Sequence, residues 1–221
     1  KSGELVKRTL ADGAEYRYHY DLLGRITGLE APEGRNLSWE YSGTGDLIRE
    51  TDAKGNAISY TYDNLHRLLS VTNPEGGKTS YAYDEAGNLT SSVSPMGTES
   101  SFRYDALDRL SRSYTPGLPE ISYTYDEAGN LAAVTETGRE SRTIRYTYDL
   151  NGNLLAEADP LEQTKTYAYD SRNRLIETAS AGGRREQYAY DGDSRMTGIR
   201  DALGKETRLS YDGNDNLISL S

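Results

Sequence analysis

The sequence predicts an all-β protein in which tandem β-hairpin repeats of about 21 residues form one long curved antiparallel sheet. Three observations carry this prediction. An aromatic pair recurs at a nearly constant interval, a turn motif with Asp and Gly follows each pair, and the hydrophobic fraction is only 35%. A helix has no room in the repeat, because two strands of about six residues and two turns of about four account for its whole length.

The aromatic pair has the form Y-x-Y, and its second residue keeps the register of the repeat. Eight of the nine intervals between these second residues are 21 residues long, and one is 23. Both rings of a pair face one side of a strand, because side chains alternate along a strand. The second Tyr positions are Tyr20, Tyr41, Tyr62, Tyr83, Tyr104, Tyr125, Tyr148, Tyr169, Tyr190 and Tyr211. We therefore predict a single array of about ten hairpin units over residues 1–221.

A turn motif, D-x-x-G-[RN], follows each aromatic pair and leads to an apolar residue that starts the next strand. Asp46 is the one departure from Arg or Asn at the motif's last position, and His66 takes the Gly position in the third unit. We expect Asp to cap the turn backbone and Gly or Asn to supply a positive φ. A second turn, D/P-x-x-G, reverses the chain again, with Glu162 in its Gly position in the eighth unit.

The repeat has two irregularities. Its first turn alternates between a Gly-Asn form and an Arg form, a 42-residue super-period that ends at Asn153. The segment Gly138-Arg139-Glu140-Ser141 accounts for the 23-residue interval, and we interpret it as a two-residue insertion in an exposed turn. A sheet of some twenty strands twists and curls, so we expect it to form a spiral or shell, an open trough or a wide-barrel segment.

Composition excludes several classes of function. The chain has 19 Tyr but one Phe and one Trp, which suits a thin, half-exposed layer better than a deep core. A chain without Cys has no disulfides or thiolate metal sites, and a net charge of −10 argues against nucleic-acid binding. No apolar run reaches the roughly 18 residues of a membrane span. The start, Lys1-Ser2-Gly3-Glu4, lacks both an initiator Met and a signal-peptide core, so we interpret the sequence as a piece of a longer chain.

The unit Y-x-Y-D-x-x-G-[RN]-L at this spacing resembles the YD repeat of the Rhs (rearrangement hot spot) proteins. Relatives of that family include bacterial wall-associated proteins, the B/C subunits of insecticidal Tc toxins and the animal teneurins. The resemblance covers essentially the whole chain. It implies that the repeats coil as a β-strand spiral into a hollow shell, which in bacterial polymorphic toxins encloses a C-terminal toxin domain.

The resemblance also implies partners and a location. The partners would be a toxin or other polypeptide cargo and the flanking repeats of the parent chain, and the parent protein would be secreted or associated with the cell surface. The Asp-Pro-rich plug motif of bacterial shells is missing here. The one Asp-Pro pair, Asp159-Pro160, lies at an ordinary inter-hairpin turn. The resemblance therefore implies a stretch of cage wall without the cargo and without the self-cleaving end.

We predict a structural, non-enzymatic segment with no catalytic, cofactor-binding or metal-binding residues. His19 and His66 are isolated in the sequence and read as surface or turn histidines. The Asp that follows the second Tyr recurs in nine units, and a residue repeated so often is structural. The segments 149–153 and 212–216 echo the first half of a calcium loop, but they lack its sixth-position Gly and twelfth-position Glu.

One alternative function remains open, a cell-surface module that binds glycans through exposed Tyr ladders. We favour the interpretation in which the rings pack against neighbouring strands and Arg stems. A fragment of a spiral also exposes unpaired strand edges, which predicts edge-to-edge self-association.

Overall fold

A computed structural model describes residues 4–221; residues 1–3, on which the longer-chain interpretation rests, lie outside the described range. That range contains 21 β-strands and one short 3₁₀ turn, Pro32–Gly34. The predicted all-β fold of tandem antiparallel hairpins is therefore confirmed. No helix within residues 4–221 has the length and apolarity needed to cross a membrane.

The chain divides into two compact units. The first comprises the chain up to Asp108 together with Thr115–Gly117, and the second comprises Arg109–Tyr114 together with Leu118–Ser221. The first unit contains β1 (Lys7–Thr9), β2 (Glu15–Tyr20), β3 (Ile26–Glu30), β4 (Leu37–Tyr41), β5 (Leu47–Thr51), β6 (Ala57–Tyr62), β7 (Leu68–Thr72), β8 (Lys78–Tyr83), β9 (Leu89–Val93) and β10 (Glu99–Tyr104).

The second unit contains eleven strands of the same kind. They are β11 (Leu110–Tyr114), β12 (Glu120–Tyr125), β13 (Leu131–Thr137), β14 (Ser141–Tyr148), β15 (Leu154–Ala158), β16 (Thr164–Tyr169), β17 (Leu175–Ala179), β18 (Arg185–Tyr190), β19 (Met196–Arg200), β20 (Glu206–Tyr211) and β21 (Leu217–Leu220). Within each unit every strand pairs antiparallel with its neighbours in sequence. Each unit is thus an open meander, built as the repeat pattern predicts.

The strand boundaries coincide with the repeat motif. β6 ends at the second aromatic of its pair, Tyr62, and β7 begins at the apolar residue, Leu68. The register shifts at this point, because Thr61 pairs with Ser70 whereas Tyr62 pairs with Leu68. The same shift recurs at the second Tyr of the other hairpins. It is a β-bulge, and a bulge repeated at one place adds twist regularly along the ribbon.

The sheet has no buried hydrophobic core. Among the described residues no apolar side chain is buried, and only Ser70 and Thr178 fall in the buried range, at 3% and 8% exposure. The accessible surface is 15264 Å², whereas a compact protein of this mass exposes roughly 10,000 Å². The thin, half-exposed layer expected from the Tyr-rich composition is confirmed.

The two faces of the hairpins carry different side chains. In the pair β6–β7, Tyr60 lies opposite Val71 on one face, and Thr61 lies opposite Ser70 on the other. The hydroxyl oxygens of Thr61 and Ser70 are 2.7 Å apart. Each cross-strand pair contributes about 0.2–1 kcal/mol. In this hairpin one face is therefore aromatic and the other carries small hydroxyl side chains, whereas other hairpins place Glu and Arg, or Ala and Glu, on that second face.

The 23-residue interval corresponds to a longer hairpin. β13 and β14 have seven and eight residues, and their pairing continues to Thr137 and Ser141. Only residues 138–140 remain as the loop, and they are exposed. The predicted exposed position is confirmed, but the interpretation as a turn insertion is wrong. The extra residues lengthen the strands, because a tight hairpin loop lets the backbone pairing continue outward.

The predicted Gly positions have the expected left-handed backbone. Gly87 in the first kind of turn has φ +97°, and nothing lies within 4 Å of a Cβ built on it. His66 and Glu162, which replace Gly, also have positive φ, at 61° and 60°. The turn shape is thus kept even where the residue disfavours it, which shows that the surrounding contacts determine the backbone.

We predict that Gly87→Ala lowers the free energy of unfolding by about 1–2 kcal/mol, because a Cβ is disfavoured in the left-handed region. The matched control is Gly192→Ala in another turn, where φ is not positive and the space around the Cβ is also empty. That control is expected to be neutral or slightly stabilising. Urea unfolding midpoints measure both, and equal effects of the two substitutions would contradict the account.

Candidate functional site

The turn after each second Tyr assembles the residues that the sequence pattern singles out. In the third unit, Asp63 Oδ1 accepts hydrogen bonds from the backbone N–H of Leu65 (2.8 Å) and of Arg67 (3.0 Å). Asp63 Oδ2 accepts a bond from Arg67 Nε at 2.7 Å. The backbone N–H of Asp63 donates to the Arg67 carbonyl at 3.0 Å. One carboxylate therefore closes the turn, and the predicted Asp cap is confirmed.

These donors keep the turn carboxylates ionised. The side-chain and backbone hydrogen bonds from Arg174 lower the pKa of Asp170 to about 2. Hydrogen bonds from the residue four positions on likewise lower the pKa of Asp21, Asp52, Asp63, Asp84, Asp126, Asp149, Asp191 and Asp212. A carboxylate with several charged or N–H donors prefers its ionised form.

The Arg of an Arg-type turn also reaches the next hairpin. The Arg67 guanidinium stacks on the Tyr83 ring, 5.0 Å from its centroid, and Nη1 donates to the Asp84 carbonyl at 2.9 Å. Arg174 repeats both contacts with Tyr190 (4.8 Å) and the Asp191 carbonyl (2.9 Å). Stacking of the same kind joins Arg25 to Tyr41, Arg109 to Tyr125 and Arg195 to Tyr211. One side chain closes its own turn and holds the following one.

The second Tyr adds a further link between successive hairpins. Its hydroxyl donates to the carbonyl of the apolar residue 15 positions earlier, as Tyr83 does to Leu68 at 2.9 Å. The ladder between β7 and β8 ends at Ser70 and Ser80, so the Leu68 carbonyl lies beyond the last backbone pair. The same bond joins Tyr20 to Leu5, Tyr41 to Ile26, Tyr104 to Leu89, Tyr125 to Leu110, Tyr190 to Leu175 and Tyr211 to Met196.

Asn-type turns link to the next hairpin through a different contact. Asn88 Nδ2 donates to Asp84 Oδ2 at 3.2 Å and to Asp108 Oδ1, in the next turn, at 2.9 Å. The positive φ belongs to Gly87 and not to Asn88, and the expectation that a Gly or an Asn of the turn supplies it is confirmed. Asn173, which stands in a Gly position, does have a positive φ, 59°. The 42-residue alternation of the turns is therefore an alternation between Arg–Tyr stacking and Asn hydrogen bonds as the links to the next hairpin.

The Tyr rings that follow Asn- or Asp-type turns have an altered pKa. Burial raises the pKa of Tyr62, and the Asp46 carboxylate of the preceding turn adds to the effect. Burial, with a smaller contribution from the preceding turn's carboxylate, also raises the pKa of Tyr104, Tyr148 and Tyr169. These hydroxyls stay protonated at neutral pH, so they do not act as bases.

The second unit departs from the pattern. Ser42 replaces the capping Asp, and its Oγ accepts the backbone N–H of Asp46 at 3.0 Å. Asp46 replaces Arg or Asn; its Oδ2 accepts the Thr44 hydroxyl at 2.9 Å, and its Oδ1 lies 2.7 Å from His66 Nδ1. His66 is thus a turn histidine, as predicted, but it is paired with a carboxylate of the preceding turn.

Neither His belongs to an arrangement suited to nucleophilic catalysis. Ser42 Oγ contacts Asp46 Oδ2 at 3.2 Å, while the imidazole of His66 lies on the other carboxylate oxygen. A serine nucleophile needs the imidazole itself as its proton acceptor, whereas here the Asp46 carboxylate lies between Ser42 and His66. His19 Nε2 lies 3.0 Å from Glu30 Oε1, and both side chains are more than half exposed. His19 is therefore a surface residue, as predicted.

The calcium-like and Asp-Pro segments form ordinary turns. Asp149 Oδ1 accepts the backbone N–H groups of Asn151 and Asn153, both at 2.9 Å, and Oδ2 accepts Asn153 Nδ2 at 2.8 Å. Asp212 is used in the same way by its own turn. Asp159 Oδ1 accepts hydrogen bonds from the backbone N–H groups of Leu161 and Gln163, and it thereby caps the turn that contains Pro160. Within residues 4–221, no three side chains of metal-ligating type are grouped.

Sequence reasoning identified only part of the links between hairpins. It expected the Tyr rings to pack against Arg stems, which the five Arg–Tyr stacks confirm, but it assigned the Arg no carbonyl acceptor and the Tyr hydroxyl no acceptor. The available signal was the constant spacing, since the Arg–Tyr stacks join residues 16 apart and the Tyr–carbonyl bonds join residues 15 apart. The repeated side chains of one turn contact those of the next turn, and their role there is structural.

Comparison with known proteins gives one family and one group of structures. A family model described as RHS Repeat matches residues 1–35, 41–79, 65–98, 83–117, 125–164, 148–185, 169–205 and 190–221. No curated protein matches the chain. The crystal structure of TcdB2-TccC3 without its hypervariable C-terminal region matches with a TM-score of 0.80 and 17% identity over 97% of this chain. That of TcdB2-TccC3-Cdc42 matches with a TM-score of 0.65 and 18% identity, also over 97%.

The chain spans only a small part of these relatives, 13% of the first and 14% of the second. At such low identity the likeness concerns the fold. It places the hairpin ribbon among structures whose chains are several times longer.

We predict that Tyr83→Phe lowers the free energy of unfolding by about 1 kcal/mol, because the Leu68 carbonyl then loses its hydrogen-bond donor. Tyr169→Phe is the control, since within residues 4–221 the Tyr169 hydroxyl makes no hydrogen bond. Its effect is expected to stay within about 0.5 kcal/mol. Urea unfolding measures both, and a Tyr83→Phe variant as stable as the parent would show that the Tyr–carbonyl link is unimportant.

We predict that Asp170→Ser makes stability less dependent on pH in acid. The folded pKa of Asp170, about 2, lies below its ordinary value of 3.8, so its contribution is present above about pH 4 and is lost as the pH falls toward 2. Ser42 shows that Ser can cap such a turn without a charge. Urea midpoints from pH 2 to pH 6 are expected to converge for parent and variant at the acid end. Parallel curves would contradict the assignment.

Proposed function

Because the chain belongs to the RHS repeat family, we propose that it is a wall segment of an Rhs-type shell that encloses a toxin or other polypeptide cargo and has no catalytic role itself. One observation carries the proposal. The repeated Asp, Arg, Asn and Tyr side chains are used to hold each hairpin to the next, as Arg67 does with Tyr83 and Asp84. Residues that many enzymes use for chemistry serve here to continue the wall.

The proposed mechanism is physical exclusion. A protease must bind an extended backbone with free N–H and C=O groups, and within each unit those groups are paired along consecutive strands. Links between turns at the ends of the strands oppose fraying, because each turn is bonded to the next. A wall of this kind would keep an enclosed polypeptide from proteases and from its target. The aromatic face and the opposite face of the hairpins are the two surfaces available to line a lumen.

The proposed setting follows from the family resemblance. The parent protein would be a secreted or cell-surface bacterial polymorphic toxin, and the partners of this segment would be its cargo and the flanking repeats. The likeness to TcdB2-TccC3 supports the same architecture, since 97% of this chain aligns with part of that structure. The single-array organisation over residues 1–221 and the edge-to-edge association stay predictions.

Glycan binding through Tyr ladders is less well supported. A sugar ring stacks on an open aromatic face, but five of the second Tyr rings carry an Arg guanidinium at 4.3–5.4 Å. Among the described residues, Tyr114 is the one tyrosine in the exposed range, at 44%. The guanidinium groups occupy the surface that a ladder of sugars would need.

We predict that electron microscopy of the complete polypeptide carrying this chain shows a hollow particle with these hairpins in its wall. An enclosed segment should resist trypsin, and combined Arg67→Ala, Arg109→Ala and Arg174→Ala should speed its cleavage by removing three links. Arg200→Ala, an exposed Arg outside the turns, is the matched control and should leave the cleavage rate unchanged. A solid particle or a fibre, or cargo cleaved at once in the parent protein, would overturn the proposal.

The glycan alternative is tested on the chain itself. Screening on a glycan array, with calorimetry on any hit, is expected to give no ligand tighter than about millimolar. A specific micromolar glycan would favour the surface-binding module and would overturn the scaffold-only function.

A further inference from the structure

The second and third turns are joined by a contact in which the charges are reversed. In several other units the residue at the Arg or Asn position donates to a residue 20 positions later, as Asn88 does to Asp108 and Arg195 does to Asp215. In the second unit that position holds the acceptor, Asp46, and the donor is His66. The donor and acceptor have exchanged places, so the link is kept although both residues differ from the pattern.

The geometry of this pair is well defined by its surroundings. Asp46 is largely buried, with 14% of its side chain exposed, whereas His66 is 55% exposed. The remaining Asp46 oxygen is held by Thr44 and Ser42. The backbone of His66 is set by its own turn, where its N–H donates to the Asp63 carbonyl at 3.1 Å. The carboxylate is thus pre-positioned, and the imidazole is presented to it by a rigid turn.

Four other charged or titratable groups lie near the pair. Asp63, in the same turn as His66, is engaged by Arg67 at 2.7 Å. Tyr62 lines the same recess of about 300 Å³, and burial raises its pKa. Arg25 Nη1 lies 3.5 Å from the position that a Cβ on Gly45 would take, next to the Asp46 turn. Within this surrounding, His66 is the one group whose ordinary pKa lies near neutrality.

We propose that the His66–Asp46 contact is a pH-responsive link between the second and third hairpins, tighter when the imidazole is protonated. The hydrogen bond from His66 is the largest cause that lowers the pKa of Asp46 below 3.8, so Asp46 stays ionised in mild acid. An ordinary histidine becomes cationic below about pH 6.5. The contact is therefore an ion pair when the imidazole is protonated and a hydrogen bond from a neutral imidazole to the carboxylate when it is not.

The other turn links lack this property. Asn88–Asp108 and Arg195–Asp215 contain no imidazole. Mild acid therefore tightens the turn link between the second and third hairpins and leaves the Arg- and Asn-type links as they are. The wall would respond to mild acid at this place alone among the turn links described here.

Hydrogen exchange at the Gly45 and Asp46 amides tests the proposal, since both amides bond to Ser42 in the turn that the link holds. His66→Asn removes the titration and keeps the left-handed turn, which Asn173 already adopts in this chain. The parent is expected to exchange about threefold more slowly than His66→Asn near pH 5.5, and equally fast near pH 8. Comparison at one pH cancels the intrinsic pH dependence of exchange.

Two further variants complete the test. Asp46→Asn, which restores the residue of the Asn-type turns, is expected to abolish the pH-dependent difference by removing the other partner. It also keeps the test decisive if His66→Asn fails to fold. Asp108→Asn, in the link from Asn88, is the matched control and should show no such dependence over the same range. The proposal is overturned if the ratio of the exchange rates of the parent and His66→Asn is the same at both pH values. It is also overturned if the exchange rates of Asp46→Asn keep the full pH dependence.

Discussion

The carboxylate of the Asp after each aromatic pair is the interaction on which the rest of the structure depends. In the third unit Asp63 accepts two backbone N–H groups and the Arg67 side chain within five residues. This closure sets where one strand ends and the next begins, so β6 ends at Tyr62 and β7 begins at Leu68. It also aims the Arg guanidinium at the following hairpin, because Nε is held by the carboxylate while Nη1 points outward. Local turn chemistry therefore becomes a link between neighbours.

Stability in such a ribbon comes from neighbour-to-neighbour contacts instead of a common core. No apolar side chain among the described residues is buried, and the aromatic rings are half covered by adjacent strands and by Arg side chains. Repeat proteins of this kind gain stability roughly as a sum of unit and interface terms. A typical hairpin adds a bulge and a capped turn, and seven of the second Tyr residues add a Tyr–carbonyl bond. An Arg stack, an Asn bond or, between the second and third hairpins, the Asp46–His66 contact joins neighbouring turns. The absence of a buried core among the described residues suits the wall role that we propose, because a wall is thin.

Much of this architecture could be predicted from the sequence, and the limits have physical reasons. The Y-x-Y spacing and the turn motif predicted the strand boundaries, and the Gly positions predicted the positive φ at His66 and Glu162. The packing of Tyr rings against Arg side chains was predicted, but the carbonyl acceptors of Arg67 and Tyr83 were not, because a residue pattern does not tell which backbone group of a neighbouring hairpin a side chain reaches. The longer hairpin ending at residues 138–140 was misplaced, since an insertion can lengthen either a turn or the strands that flank it.

Contacts between neighbouring hairpins, without a hydrophobic core in residues 4–221, hold the ribbon together, and the heat capacity of unfolding tests this claim most directly. Apolar burial is the source of a positive heat-capacity change, and globular proteins give about 12–15 cal/mol/K per residue. Scanning calorimetry of the whole chain, in a monomeric state, is expected to give a clearly smaller value per residue. A value in the full globular range would show that the chain buries a conventional core and would contradict the account.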